Sequence, residues 1–188
     1  GIGEWSSTAI ARGSEQGIEI LDQEHYPNSI GFLWEKFTDF LGFHRNNDEC
    51  KVMGLASYGD PKVYEEAFRE LYQIKDGHFN LNEERLRFRS EEDFDGLEEL
   101  FGKRRLPGEP LSYSEKNSRH ADIAASLQKC TEEIILSLAR RGKDLYDCEN
   151  LCLAGGVALN CVANGVLSRA GDFKDIWVQT AANDAGTA

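Results

Sequence analysis

An α/β fold is predicted by three observations. A short apolar run, Leu151-Cys-Leu-Ala154, stops at Gly155-Gly156 and passes at once into a helical pattern from Val157 to Arg169. A second unit of the same design follows: residues 175–179 read as a strand, and Thr180-Ala-Ala-Asn-Asp-Ala-Gly186 reads as a turn opening into another helix. A long helical pattern precedes both, with Ile123, Leu127, Cys130, Ile134 and Leu138 at helical spacing. Helix, strand, helix, strand, helix start is the order of a parallel sheet joined by right-handed crossovers.

The other elements follow along the chain. Residues 1–11 and 17–21 read as two strands joined by the polar turn 12–16, a β-hairpin. Ser29 caps a helix over 30–41 whose apolar face is Leu33, Phe37, Phe40 and Leu41, with Gly42 ending it. That aromatic stripe reads as core rather than as a cofactor box. A polar loop at 46–48 turns into a short helix closing at Gly59-Asp-Pro61, with Glu49 and Lys51 on its N-terminal side, and another helix spans 63–72. From 73 to 119 the pattern weakens, and Gly77, Pro107, Gly108 and Pro110 mark an irregular insertion with short elements. Arg85-Leu-Arg-Phe-Arg89 reads as a charged strand facing acidic neighbours in preference to an anion site. The helix from His120 carries Arg140 and Arg141 in its last turn and takes Gly142 as its stop. The organisation expected is one partial domain over 1–188, with hairpin and helices at 1–72, the insertion at 73–119 and the helix–strand–helix–strand part at 120–188.

The 188 residues carry 21 basic and 33 acidic side chains, a formal charge of −12. This argues against general binding to nucleic acid or to an anionic membrane, both of which need basic patches. No apolar stretch approaches the roughly 20 residues that span a bilayer, and no part of this sequence is expected to serve as a signal peptide. Cys50, Cys130, Cys148, Cys152 and Cys161 form an odd set without a Cys-x-x-Cys pair. They read as buried free thiols of a reducing cytoplasm. His25, His44, His78 and His120 lack metal-ligand spacing; His120 begins a helix and the others read as loop residues. The chain opens at Gly1 directly in motif-like sequence, so it is expected to be an excised piece of something longer.

The strand-to-helix turn at Gly155-Gly156 has two readings. Glycine lets a ligand come close to the backbone, and the N–H groups and positive dipole end of a following helix favour phosphate. Asn160, placed in that helix's first turn, adds a polar side chain to the same spot. Glycine for packing alone is the competing reading. Asp184 likewise is either a helix cap or a metal or nucleotide contact. Ligands of open α/β sheets collect outside the carboxyl ends of the strands, where both segments fall.

Four segments together resemble the O-carbamoyltransferase family of nodulation and antibiotic-tailoring enzymes, the NodU/CmcH type. They are Gly1-Ile-Gly-Glu-Trp-Ser-Ser-Thr8, Glu49-Cys-Lys-Val-Met-Gly-Leu-Ala-Ser-Tyr-Gly59, Asn150-Leu-Cys-Leu-Ala-Gly-Gly-Val-Ala-Leu-Asn160 and Thr180-Ala-Ala-Asn-Asp-Ala-Gly186. His120-Ala-Asp-Ile-Ala-Ala-Ser-Leu-Gln128 also resembles the family helix before the Gly-Gly strand. The resemblance runs nearly end to end. It implies a partial actin-like ATPase (ribonuclease H-like) fold with a mixed sheet and flanking helices, related to the subunit that makes threonylcarbamoyl-adenosine on tRNA. Enzymes of this kind form a carbamoyl-adenylate from ATP and carbamoyl phosphate. The carbamoyl group then passes to a hydroxyl of a sugar or antibiotic-like small-molecule acceptor, beside an iron-type divalent metal.

By motif position, the resemblance implies that Gly155, Gly156, Val157 and Asn160 line the nucleotide. Gly3 and Glu4 would form its phosphate-side hairpin, Glu49 and Lys51 its ribose side, and Asp184 a metal ligand. No catalytic residue is assigned. The family's opening hairpin, its paired His-x-x-x-His and its adenylate-forming domain are not in the chain, and Cys50 and Ser57 stand where an aromatic residue and a proline are expected. The chain alone is therefore expected to be inactive and prone to self-association through sheet edges that the missing remainder would pair. Two rivals stand beside this reading: a sugar-kinase-like ATPase of the same fold, and a non-catalytic nucleotide-binding module.

Overall fold

The computed structural model describes residues 5–90, 92–114, 117–183 and 186. The chain opens with a hairpin of β1 (Ser6–Ser14) and β2 (Gly17–His25), antiparallel and closed by the two residues Glu15 and Gln16. The strands run further than the sequence pattern predicts, and the expected five-residue turn shrinks to two. Gly17 at φ +130° makes this tight reversal accessible.

Helix α1 (Ile30–Phe40) follows, and Leu33, Phe37, Phe40 and Leu41 are fully buried, which bears out the stripe as core. Helix α2 (Glu49–Ala56) buries Val52 and Leu55. Helix α3 (Glu65–Arg69) is shorter than the predicted 63–72, because Tyr72 already opens a strand. That strand, β3 (Tyr72–Lys75), pairs with β4 (His78–Leu81) across Asp76-Gly77. Both turn residues have positive φ, +53° and +81°, the left-handed pair that Asp-Gly supplies in a two-residue hairpin turn.

The run 85–89 is a correction. Residues Glu83–Leu86 form α4, capped by the Asn82 side chain accepting from the Arg85 amide, and the chain leaves it through Arg87 at φ +47°. A cap and a left-handed residue end any strand here. The acidic neighbours are real: Arg85 pairs with Glu70 and Glu99, and Arg87 with Asp93. Helix α5 (Asp95–Phe101) completes the segment.

Helix α6 (Arg119–Leu145) overruns its predicted stop. Gly142 is an interior residue whose Cβ position lies 3.3 Å from the Ile10 methyl, so this glycine permits close packing on the hairpin instead of ending the helix. Strand β5 (Asn150–Leu153) pairs in parallel with β6 (Asp175–Val178), residue for residue from Asn150↔Asp175 to Leu153↔Val178. A 3₁₀ turn (Gly156–Leu159) and helix α7 (Cys161–Ala170) make the crossover, and Gly171 in the left-handed region ends it. The predicted parallel unit is present, but β5 is not a buried strand: its residues alternate between exposed and half-buried. No helix among the described residues is long and apolar enough to cross a membrane.

The fold is mixed α/β with three small two-stranded sheets among the described residues. The chain packs as two units that cut across the three sequence stretches: 1–31 with 74–79 and 132–188, and 32–73 with 80–131. The first unit buries Ile134, Leu138, Ala163 and Leu167. The second is built on aromatic rings, with Phe37, Phe68 and Phe101 mutually in contact at centroid separations of 5.0–5.5 Å.

Candidate functional site

The strand end that carries the glycine pair is held by its neighbour. The Gly155 amide donates to the Ala182 carbonyl (2.7 Å), and the Gln179 amide donates to the Leu153 carbonyl (3.2 Å), so the turns after β5 and β6 lie side by side. Gly155 has φ +96° and ψ 161°, a conformation that a side chain resists. Gly156 differs: its φ is ordinary, and a Cβ added there would meet no atom of the described residues within 4 Å. Packing among the described residues therefore does not require this glycine, and they leave the space above its backbone open.

The helix geometry departs from the sequence reading. Gly156, Val157, Ala158 and Leu159 form the 3₁₀ turn, and α7 begins only at Cys161. Asn160 is thus the N-cap of α7 and not a residue of its first turn; its buried carboxamide oxygen accepts from the Ala163 amide (3.0 Å). The capping bond occupies the group that sequence reasoning aims at a nucleotide. The turn at Gly155, by contrast, has no side-chain cap.

Glu49 and Lys51 lie at the start of α2 in the other unit, and both are engaged locally. A Glu49 carboxylate oxygen accepts from the Asn46 amide (2.6 Å), and Lys51 pairs with Asp48 at 2.7 Å. Asp48 is buried and also accepts from the His44 amide; Lys51 and these bonds hold its carboxyl below the usual range. Glu35 stands near Glu49, and burial, then that neighbouring carboxylate, pushes its pKa up. Gly3, Glu4 and Asp184 lie outside the described residues. Gly186, close to Asp184 in sequence, leaves no room for a side chain against the Ala181 carbonyl.

Sequence reasoning missed a charged network in the first unit. Asp22 and Glu24, two apart on β2 and so on one face, both meet His78: Nδ1 lies 2.7 Å from Glu24 and Nε2 3.8 Å from Asp22. Asp22 also accepts from Arg141, which donates again to the Asp76 carbonyl (2.8 Å). Burial works to raise the Asp22 pKa, but the Arg141 bond and charge outweigh it and hold the carboxyl low. The alternating acids of β2 were the available signal. A cavity of about 440 Å³ borders this network, lined by Asp76, Glu133, Arg140, Arg141 and Asp144 among others. Arg141 is already paired with Asp22 and Arg140 with Asp172 (2.9 Å), and no residue proposed for the nucleotide lines it.

Two readings of residue environment are corrected. All five cysteines are free, but only Cys130 is buried; Cys148 is half-buried, and Cys50, Cys152 and Cys161 are exposed. Cys50 lies on the exposed side of α2, Cys152 on the outward face of β5 and Cys161 at the start of α7. His25 and His78 sit at strand ends and not in loops. Among the described residues no three His, Cys, Asp or Glu side chains converge to hold a metal ion, so these residues do not make up the ligand set the resemblance implies.

Comparison with known proteins supplies the context for this geometry. The family model described as "Carbamoyltransferase N-terminus" matches residues 1–188. An uncharacterized protein of Synechocystis sp. is 43% identical over the whole chain, which spans 30% of that relative. "Nodulation protein NolNO" of Sinorhizobium fredii is 37% identical, again over the whole chain and 26% of the relative. "Nodulation protein NolO" of Bradyrhizobium diazoefficiens is also 37% identical, with 32% of its length covered. The chain thus spans about a third or less of the length of these relatives.

Proposed function

We propose, from the premise that this chain belongs to the carbamoyltransferase N-terminus family, that it forms the nucleotide side of an O-carbamoyl transfer site. The observation that carries this reading is the family match over all 188 residues. The open backbone at Gly155-Gly156, beside the second strand end, supports placing nucleotide phosphate there, since no packing demand among the described residues explains Gly156. Val157 borders the same turn. Glu49 and Lys51 are the ribose-side candidates that the resemblance implies, and within their own unit both brace the loop before α2.

ATP, carbamoyl phosphate and water are the proposed sources of a carbamoyl-adenylate: water cleaves carbamoyl phosphate to carbamate and phosphate, and a carbamate oxygen then bonds to the α-phosphorus of ATP as pyrophosphate leaves. In the transfer itself, the acceptor hydroxyl oxygen bonds to the carbamoyl carbon and the bond from that carbon to the adenylate oxygen breaks. AMP leaves with the electron pair, and the acceptor proton is lost to a base. The Gly155-Gly156 turn serves by holding the phosphate in place, so that the two reactants meet in a fixed orientation. Asp184 is this chain's proposed contribution to a metal; Asp184→Asn should leave the protein folded and lower its metal content.

The test uses the full-length protein with ATP, carbamoyl phosphate and hydroxyl-bearing acceptors. AMP and pyrophosphate formed together with a carbamoylated acceptor are expected. ADP with a phosphorylated acceptor would replace this reading by the kinase one, and nucleotide binding without turnover of any acceptor would leave only a binding module.

A further inference from the structure

Asn164 is bonded at one end of its carboxamide and orphaned at the other. Its Nδ2 donates to the Ala158 carbonyl (2.8 Å), while its Oδ1 is buried and has no hydrogen-bond partner among the described residues. Chemistry fixes this orientation, because a backbone carbonyl can only accept. A buried acceptor left without a partner costs folding at least as much as one ordinary hydrogen bond contributes. Stability therefore does not account for an asparagine here, and the bond to Ala158 is what the side chain supplies.

That bond crosses the join between two elements. Ala158 belongs to the 3₁₀ turn Gly156–Leu159, and Asn164 lies in the first turn of α7. The Ala158 amide donates the other way, to the Gly155 carbonyl (3.0 Å), and the Asn160 amide donates to the Val157 carbonyl (3.0 Å). A single 3₁₀ turn is held by few bonds of poor geometry, so it keeps its shape by leaning on a neighbour. The Asn164 side chain ties the middle of this turn to the ten-residue helix behind it. Ahead of Ala158, the amides of Gly156 and Val157 have no acceptor among the described residues, and the Gly156 Cβ position is open. The direction in which those two amides point follows from how the turn is rolled, and the Asn164 bond sets that roll.

We infer that Asn164 is a positioning residue for the phosphate end of the nucleotide: through the Ala158 carbonyl it presets the turn that presents the Gly156 and Val157 amides. The inference rests on the placement of phosphate proposed above. Asn164 acts through the backbone, since its amide group is committed to Ala158 and its oxygen is buried. A turn already in its bound shape spares the ligand the entropy of ordering it. Loss of the bond therefore weakens ligands that carry phosphate and leaves adenosine, which carries none, unaffected.

The experiment is calorimetric titration of ATP and of adenosine into the full-length protein and its Asn164→Ala, Asn164→Leu and Gly156→Val variants, with melting temperatures recorded. Ala and Leu both remove the donor, one leaving space and the other filling it. Each should lower ATP affinity roughly tenfold, a shift well within calorimetric reach, while adenosine affinity stays at the wild-type value. Melting temperatures should hold, because the lost bond and the removed orphan offset each other. A fall in ATP and adenosine affinity together, accompanied by a lower melting temperature, would make Asn164 a structural residue and overturn the inference. So would a loss seen with Leu alone, which is a steric effect. If Gly156→Val weakens ATP while both Asn164 variants bind as wild type, the phosphate reading stands and the role of Asn164 falls. If all three variants bind ATP as wild type, or wild type binds ATP no tighter than adenosine, the phosphate reading falls and takes this inference with it.

Discussion

Gly59 shows how a single residue can be fixed by what surrounds it. Its Cβ position falls against the Ala121 carbonyl, backbone that cannot swing aside, so Gly59→Ala should destabilise the protein by roughly 1–3 kcal/mol, the usual range for overpacking. A thermal melt checks this, and an unchanged melting temperature would mean the segment moves freely. Gly156 is the contrasting case, with no atom of the described residues near its Cβ position. A sequence cannot separate these two glycines, because the difference lies in what another segment places above each. The same reason hid the Asp22–Glu24–His78–Arg141 network, whose members span residues 22 to 141 and meet only after folding.

Elements whose cause is local were legible. The periodic stripes of α1 and the first half of α6, the parallel β5–β6 unit and the hairpin all follow from short-range pattern. Ends failed where a distant contact decides them. Gly142 stays helical because Ile10 packs against it, and Asn160 caps α7 because a 3₁₀ turn intervenes after the glycines. The Asp76-Gly77 turn was a legible hairpin signal passed over within a segment that otherwise lacks pattern. One bond between elements of the second unit gives a direct prediction. The buried Trp34 indole on α1 donates to Thr131 Oγ1 on α6 (2.8 Å), and that hydroxyl donates on to the Leu127 carbonyl (2.9 Å). Thr131→Val keeps the shape but orphans the indole N–H, which should destabilise by roughly 1–3 kcal/mol. Thr131→Ser should recover most of that loss. Equal stability of the Val variant by chemical denaturation would show that the bond contributes nothing net.

For the molecule as a whole, pH is the simplest probe. Burial, then the charges of Arg119 and Arg105, lowers the His120 pKa from 6.5 to about 4. The folded state therefore favours the neutral ring, and as pH falls the unfolded chain takes up this proton first. Stability from this group is fully present above about pH 6.5 and drains away toward pH 4. Asp22, Asp48 and Asp93, all held below their ordinary value of 3.8, lose their contribution at still lower pH. Glu35 is shifted the opposite way, but it is common to both proteins in the comparison that follows. His120→Gln keeps an acceptor for the Ser112 amide without the titration, so its stability should fall less than that of wild type between pH 7 and 4.5; parallel curves would contradict this. The central claim is that the open turn at Gly155-Gly156 is where nucleotide phosphate rests. Isothermal titration of ATP into the full-length protein and its Gly156→Val variant, with both melting temperatures recorded, tests it most directly. The account predicts that affinity falls roughly tenfold or more, because a branched side chain fills the space a phosphate needs, while the melting temperature holds because no atom of the described residues is near. Equal affinity in the two proteins would contradict it.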